Sequence, residues 1–379
     1  MLLLPTLIVG ALVALAVHTQ LNMYGDANGL VHFGSFFANR IDPPRGAITG
    51  GLYGYDGQWY WVLAHDPLLL HNSTFVHLHF QKFRAQRIAY PALSYLAAKI
   101  LGVPTATGML LVNVALVIGG TLAFSIYARR RGWSPWWALG VGLLPGLLLG
   151  TLYDLTDPLA TVAVLTGLIL WSRGSRRLAP FALVVAVLAR EVMVLLVLGV
   201  ALEALNRAWS RRHEHGAWLE VARDSWPGVV IPGAAFAAWH FYIEARTGGN
   251  TGTAAATPFF ASYTQGFRKA LHLHGTLQVW AVAFELLMFA AIAVALISLW
   301  WDRSAVALTA ALIALSLGIA DYGPVIGDTR DSAPLFALLL AAGLQRRNWW
   351  VLAPTVGAAA LTLTMPFLVP GVFPHGLLI

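Results

Sequence analysis

From Ile88 onward the sequence is an almost unbroken series of apolar segments, at about 88–102, 106–128, 133–151, 155–172, 178–190, 191–205, 227–244, 277–301, 304–322, 333–345 and 349–369. A further apolar run covers residues 2–17. Continuous runs of this kind bury themselves in hydrocarbon as helices, whose backbone groups bond within the segment. A transmembrane β-barrel is excluded, because its strands alternate apolar and polar residues. Only 11% of the chain is charged, against about 25% in a soluble domain. The expected fold class is therefore an all-α polytopic membrane protein. It reads as a single transmembrane domain over 1–379, a bundle of about 10–12 membrane helices. Several segments fall short of the about 20 residues that cross a hydrocarbon core of roughly 30 Å. Helices that end part way are tolerated around a protein-enclosed or water-filled space, so a cavity reaching into the bilayer is expected.

The formal charge is +7, and the basic excess is mostly arginine in short clusters between apolar runs: 129–131, Arg173 with Arg176 and Arg177, Arg207 with Arg211 and Arg212, and Arg346 with Arg347. This is the pattern of positive-inside loops, so the basic balance does not point to nucleic acid. It places 153–158, the loop 245–276 and 327–331 on the outer face of what composition suggests is a bacterial plasma membrane. The run 2–17 lacks a basic n-region and a convincing cleavage site, and reads as a retained first helix. With the N-terminus inside and a long first outer loop at 19–87, the crossings between 88 and 128 do not close. Either 88–102 is re-entrant or a boundary is displaced. Residues 206–226 read as a cytoplasmic amphipathic helix, and the Gly/Thr-rich loop 245–276 as either a lid or a plain connector. There is no cysteine, hence no disulfide or thiol chemistry.

The polar first loop carries the most chemistry. In Gly54-Tyr55-Asp56-Gly57-Gln58-Trp59-Tyr60-Trp61 one acid sits among glycines and aromatics. The glycines let the backbone bend and come close to a neighbour. The aromatics suit a sugar face or the membrane interface. A partly desolvated Asp56 can take a proton from an attacking hydroxyl; equally, it can cap a helix. Asp26 is a turn or cap residue, a second acid, or a metal ligand. Arg84 and Arg87 offer planar forks that suit a phosphate, or they snorkel to ordinary headgroups. Asp157-Pro158 reads as a helix start, with Asp157 as cap, and Asp154 lies just before it. Arg190-Glu191 interrupts an apolar run; such charges are costly at membrane depth and seek partners, while adjacent helix positions point apart. Asp321, Asp328, Arg330 and Asp331 gather at another outer turn, with Arg330 a second phosphate partner or part of a solvated loop. The weak metal spacing of His77 and His79 and the sequon Asn72-Ser73-Thr74 carry little weight.

In their order and spacing, Tyr55-Asp56-Gly57-Gln58-Trp59-Tyr60, then Gln86-Arg87-Ile88-Ala89-Tyr90-Pro91-Ala92-Leu93, then Asp154-Leu155-Thr156-Asp157-Pro158-Leu159 and Leu188-Ala189-Arg190-Glu191, the chain resembles the GT-C superfamily of integral-membrane glycosyltransferases. The motifs look like those of PIG-V-like mannosyltransferases and uncharacterised bacterial relatives. It departs from them in having one acid at Asp56 where several branches have two, and in reducing a Phe-Pro-Leu-Tyr-Pro motif to Ile-Ala-Tyr-Pro. The resemblance implies transfer of a sugar from a polyprenyl-phosphate carrier to a glycan, lipid or protein acceptor on the outer face, with inversion. Asp56 is then the general base. Arg87, Arg330 and Arg84 hold the carrier phosphate. Asp26, Tyr55, Gln58, Trp59, Tyr60, Asp154 and Asp157 line the acceptor and sugar side. A divalent cation, Mg or Mn, on Asp26 and Asp56 is the one cofactor this reading admits. A lipid or small-molecule transporter using Arg190 and Glu191 in a membrane cavity is the main rival, and a non-catalytic assembly subunit the third reading.

Overall fold

The structure is a computed structural model that describes residues 2–49, 54–71, 79–247, 261–317 and 329–368. Asn72-Ser73-Thr74, His77, Asp321, Asp328 and part of the 245–276 loop lie outside the described residues. The protein is an all-α polytopic membrane protein, with no β-strand beyond isolated bridges of Phe33 to Thr49 and Gly54 among the described residues.

The helices follow the apolar segments closely. Among the described residues four are long and apolar enough to cross a membrane: Leu4–Tyr24, Thr105–Arg130, Glu191–Ser210 and Gly275–Ser298. A fifth span forms if Pro135–Gly142 and Pro145–Leu152, bent by 52° at their junction, count as one. The other apolar helices are short, including Asp157–Ser172, Ala179–Ala189 and Ala305–Leu317. Against the expected 10–12 membrane helices, four or five are full-length candidates and four are shorter apolar helices among the described residues. At 1.5 Å per residue the 11-residue helix Ala179–Ala189 rises only about 16 Å, half the hydrocarbon thickness.

One end of the bundle gathers the arginine-rich turns. There Arg176 and Arg207 share Asp224 at 2.8 and 3.0 Å, and Arg346 reaches Asp302 at 2.8 Å. Trp209, Trp300, Trp349 and Trp350 stand exposed beside these turns, as interfacial tryptophans do. The N-terminus lies at the same end, since Ser125 donates to the carbonyl of Leu2 at 2.8 Å.

The first helix runs away from that end, and the chain then descends again into the bundle. Tyr90, in the first turn of the Ala89–Leu101 helix, places its hydroxyl 3.1 Å from the carbonyl of Met109 and 2.9 Å from Asn113. Further along, Ser94 and Ala98 pack on Gly108. So Ala89–Leu101 starts level with residues 109–113 and climbs to the turn at 102–104, from which Thr105–Arg130 crosses back. Ala89–Leu101 is thus a short helix, 13 residues long, paired with the start of Thr105–Arg130.

Two expectations change. Residues 206–226 do not make one amphipathic helix. The helix Leu195–Ser210 ends, Gly216 takes a positive φ of 78°, and a new 31-residue helix, Ala217–Thr247, begins. It carries Pro227 and Pro232 and continues through the predicted apolar segment to the far end of the bundle. There Trp239 donates to the carbonyl of Ala85, and Arg246 to that of Leu69 at 2.7 Å, holding the first loop against it. The first helix likewise extends to Tyr24, past the predicted limit at residue 17.

Candidate functional site: an arginine–carboxylate cluster around Asp56

The first loop folds as short helices, Ser35–Ile41 and Gly57–His65, stitched by aromatic contacts and the bridges at Phe33. Phe33, Phe37, Trp59, Tyr60 and Leu63 are all buried. This is a packed plug with its own core, and it fixes where Asp56 sits. Gly57 follows Asp56 and lies against backbone: a Cβ there would come 2.6 Å from the carbonyl of Tyr153 and 3.1 Å from that of Val31. Gly57→Ala is therefore expected to push the Asp56 turn off the 153–154 turn, at a cost of about 1–3 kcal/mol for overpacking. A lower melting temperature in detergent would show it; an unchanged one would mean the turn yields freely.

Asp56 is the hub of the site. Its Oδ1 accepts from Arg84, whose Nε lies at 3.0 Å and whose Nη2 is closer still. Its Oδ2 accepts from Arg330 at 3.0 Å and faces Arg87 at 3.7 Å. Arg87 in turn donates to both oxygens of Glu191, at 2.7 and 2.5 Å, and to the Tyr60 hydroxyl at 2.9 Å. Arg330 lies over the ring of Tyr55, 5.3 Å from its centroid, and donates to Asp331 at 3.1 Å. Asp331 accepts from Arg190 at 2.7 Å, and Arg190 also pairs with Asp157. Glu191, Arg87, Asp56, Arg330, Asp331, Arg190 and Asp157 thus form one continuous chain of charges, with Arg84 branching at Asp56. Asp157 and Arg190 are the deepest, with side chains 3% and 6% exposed, while Glu191 is 30% exposed. The cluster opens at its Glu191–Arg84 side.

The four arginines balance the four acids, which is how charges persist at such depth. Three helices also start here: Gly57–His65 just after Asp56, Asp157–Ser172 at Asp157, and Ala333–Arg346 two residues past Asp331. Their N-termini add partial positive charge to the site. Burial alone would raise the Asp56 carboxyl, but Arg84, Arg330 and Arg87 outweigh it and hold it far below the usual carboxylate range. As it stands, Asp56 is a poor base, since a useful general base titrates near the working pH.

The other predicted residues divide sharply. Tyr55, Tyr60, Arg84, Arg87, Arg190, Glu191, Asp157 and Arg330 all join the cluster. Arg190 and Glu191 part company as expected, because the helix Ala179–Ala189 ends at Arg190 in extended backbone, φ −149°. Asp157 does not act through a side-chain cap; its carboxylate takes Arg190 instead. Gln58 and Trp59 leave the predicted sugar side for the core. Gln58 accepts from the backbone of Gly34 at 3.1 Å with none of its surface exposed, and Trp59 packs edge-on against Phe37 at 4.7 Å. The helix Gly57–His65 is buried on nearly every side, so both side chains meet protein.

Asp26 is elsewhere. It is exposed and caps the short helix Ala27–Leu30, accepting from the backbone of Asn28 at 2.8 Å. It gives Asp56 no shared ligand. Among the described residues no three His, Asp or Glu side chains gather as metal ligands, and three guanidiniums crowd the carboxylate of Asp56. Asp26 and Asp56 are not a fit for Mg or Mn.

Asp154 is fully buried behind the site, at a left-handed φ of 52° that Asp tolerates. Its Oδ1 lies 3.4 Å from the Tyr90 hydroxyl. Asn113 is within 3.1 Å of both the Gly150 and Leu155 carbonyls, closing the turn that carries Asp154. Asp154 is thus set in a buried node behind the cluster, with its Oδ2 left without a hydrogen-bond partner. Tyr90 and Asn113 are members of this node that sequence reasoning missed; a lone Asn in an apolar helix is the signal that could have found the second. Asp331 was read only as part of a charged turn.

His32 is a second missed residue. It is 5% exposed at a φ of 53°, between the rings of Tyr24 and Tyr153 at 5.5 and 5.1 Å. Burial pushes its imidazole down to about 4. The unfolded chain, titrating near 6.5, then binds a proton that the fold does not. Stability is expected to fall as pH drops from about 6.5 toward 4 and to be flat above 7. Melting curves in detergent at pH 7 and 5 test this against His32→Asn, a residue that accepts the same backbone. An equal fall in both proteins would clear His32 of the effect.

No family model, curated protein or solved structure matches this chain.

Proposed function

We propose that the protein is an integral-membrane glycosyltransferase that moves a sugar from a polyprenyl-phosphate carrier to an acceptor hydroxyl, with inversion at the sugar carbon. The observation that carries this reading is the meeting of Asp56 with Arg84, Arg87 and Arg330. The first was read as base and the other three as phosphate ligands, and they come from three separate stretches of chain. A guanidinium cluster at partial membrane depth suits an anion delivered by a lipid, whose tail stays in the bilayer. The positive-inside rule puts the arginine-rich turns in the cytoplasm and the cluster toward the outer face of a bacterial plasma membrane.

In this reading Asp56 takes the proton of the acceptor hydroxyl as its oxygen attacks the sugar carbon. The bond from that carbon to the phosphate oxygen breaks, and the electron pair leaves with the phosphate. Arg84, Arg87 and Arg330 stabilise the charge that develops there, the kind of preorganised electrostatics that lowers such barriers. Tyr60 and Glu191 fix the plane of Arg87, and Asp331 and the Tyr55 ring fix Arg330. Tyr55, half-buried under Arg330, is the aromatic left nearest a sugar. The membranes of cells overproducing the protein should transfer radiolabelled sugar from one member of a panel of polyprenyl-phosphate sugars. Absence of transfer across the panel, with lipid movement that depends on Glu191, would favour the transporter instead.

A further inference from the structure

We infer that the guanidiniums of Arg84, Arg87 and Arg330 form an anion receptor that the chain fills with its own Asp56 carboxylate, and that an incoming phosphate group displaces Asp56 from it. The acid becomes a base only after the phosphate is seated. The identity of the phosphate as a lipid-linked donor rests on the proposed transferase reading; the competition itself does not.

The geometry is that of a ligand in its site. Both oxygens of Asp56 are occupied: Oδ1 by the Nε and Nη2 of Arg84, Oδ2 by Arg330 at 3.0 Å with Arg87 at 3.7 Å. Arg84 sets two N–H donors on one oxygen and Arg330 sets one on the other, and guanidinium donors converging in this way suit a carboxylate or a phosphate alike. Three of its about four acceptor sites are taken, and the guanidiniums hold the carboxylate ionised, so Asp56 is a weak acceptor for a hydroxyl proton while it stays among them. The remaining acids stand on the outer sides of the arginines and hold them in place. Glu191 takes two donors of Arg87, and Asp331 takes the Nε of Arg330. Arg87 and Arg330 therefore keep their acid partners when Asp56 leaves. The contact of Arg87 with Asp56, at 3.7 Å, is the loosest of the three and the natural point of entry.

The charges follow the same logic. The four arginines and four acids cancel, so the resting cluster is neutral. A phosphodiester adds one negative charge. In the transfer step Asp56 gains the acceptor proton and loses its charge, while the departing phosphate goes from one negative charge to two. The net charge of the site is the same before and after the step. The arrangement also orders the reaction: with no phosphate present, no base is available to activate a hydroxyl or a water.

Binding measurements on the purified full-length protein in nanodiscs test this without turnover. The probes are farnesyl phosphate, inorganic phosphate and farnesol, the last as the uncharged control. Asp56→Asn is expected to bind farnesyl phosphate at least about tenfold more tightly than the wild type, about 1.4 kcal/mol, because the internal competitor is gone. Arg84→Gln is expected to bind about tenfold more weakly. The double variant Asp56→Asn/Arg84→Gln removes a matched pair of charges, and its affinity should return near the wild-type value. It keeps the test open if the single Asp56 variant does not fold. Unchanged or weaker binding of both farnesyl phosphate and inorganic phosphate by Asp56→Asn would overturn the inference, as would a double variant no tighter than Arg84→Gln alone for either probe. The same tightening seen for inorganic phosphate but not for farnesyl phosphate would uphold the competition and sink the lipid-donor reading.

Discussion

Asp56→Asn is expected to lower sugar transfer by about 10²–10⁴-fold, the usual contribution of a general base, while the protein remains folded in the membrane. Asparagine keeps the shape of the side chain and one acceptor oxygen for the arginines, but it cannot take a proton from the acceptor. The loss should therefore appear in turnover and not in donor binding, which the competition argument expects to tighten. That split separates a missing base from a damaged site, since a collapsed cluster would lose both. The check is the transfer assay run beside the nanodisc binding measurement, on protein shown by size exclusion and melting to be intact. Transfer that persists within a few-fold of wild type would remove Asp56 from the chemistry. It would leave Glu191, the most exposed acid of the cluster, as the next candidate.

Arg190→Met should be the most destabilising single change among the charges. Arg190 is 5% exposed and holds both Asp157 and Asp331. Removing it strands two acids that have little access to water, and breaking a buried pair in this way costs about 3–5 kcal/mol. Methionine matches much of its volume, so the effect is electrostatic and not a cavity. A second change, Asp157→Asn in the same chain, should recover part of the loss, because one of the stranded charges is gone. Arg211→Ala is the contrast: its partners Glu214 and Glu220 are exposed, and such pairs contribute little. Denaturation in mixed micelles would measure all three. If Arg190→Met and Arg211→Ala unfolded alike, the 190–157–331 group would be far wetter than its burial implies.

These two predictions draw on the same residues that separate local from long-range information. The helical, membrane-embedded architecture was legible in the sequence, because a segment in hydrocarbon must satisfy its backbone within itself. That requirement is local, so the apolar runs mark the helices to within a few residues, as at Gly275–Ser298 and Trp349–Leu368. Local chemistry also announced the Asp56 turn, where Gly57 permits the backbone approach, and the separation of Arg190 from Glu191. The sequence was equally enough to show that some segments are too short to span.

Tertiary structure alone decided which of the charges meet. Arg87 finds Glu191 across 104 residues and Arg330 finds Asp56 across 274, and no periodicity carries such pairings. Asp26 and Asp56 look alike as acids beside glycines. One caps an exposed turn and the other lies among three guanidiniums, because the loop between them folds as a packed plug. Gln58 and Trp59 went to the core for the same reason, and the short path of 89–101 followed from where Tyr90 found its partners. Charge pairing at depth is decided by what the whole bundle brings within about 4 Å. The sequence could list the acids and arginines of this protein, but only the packing of its short helices made them into one cluster.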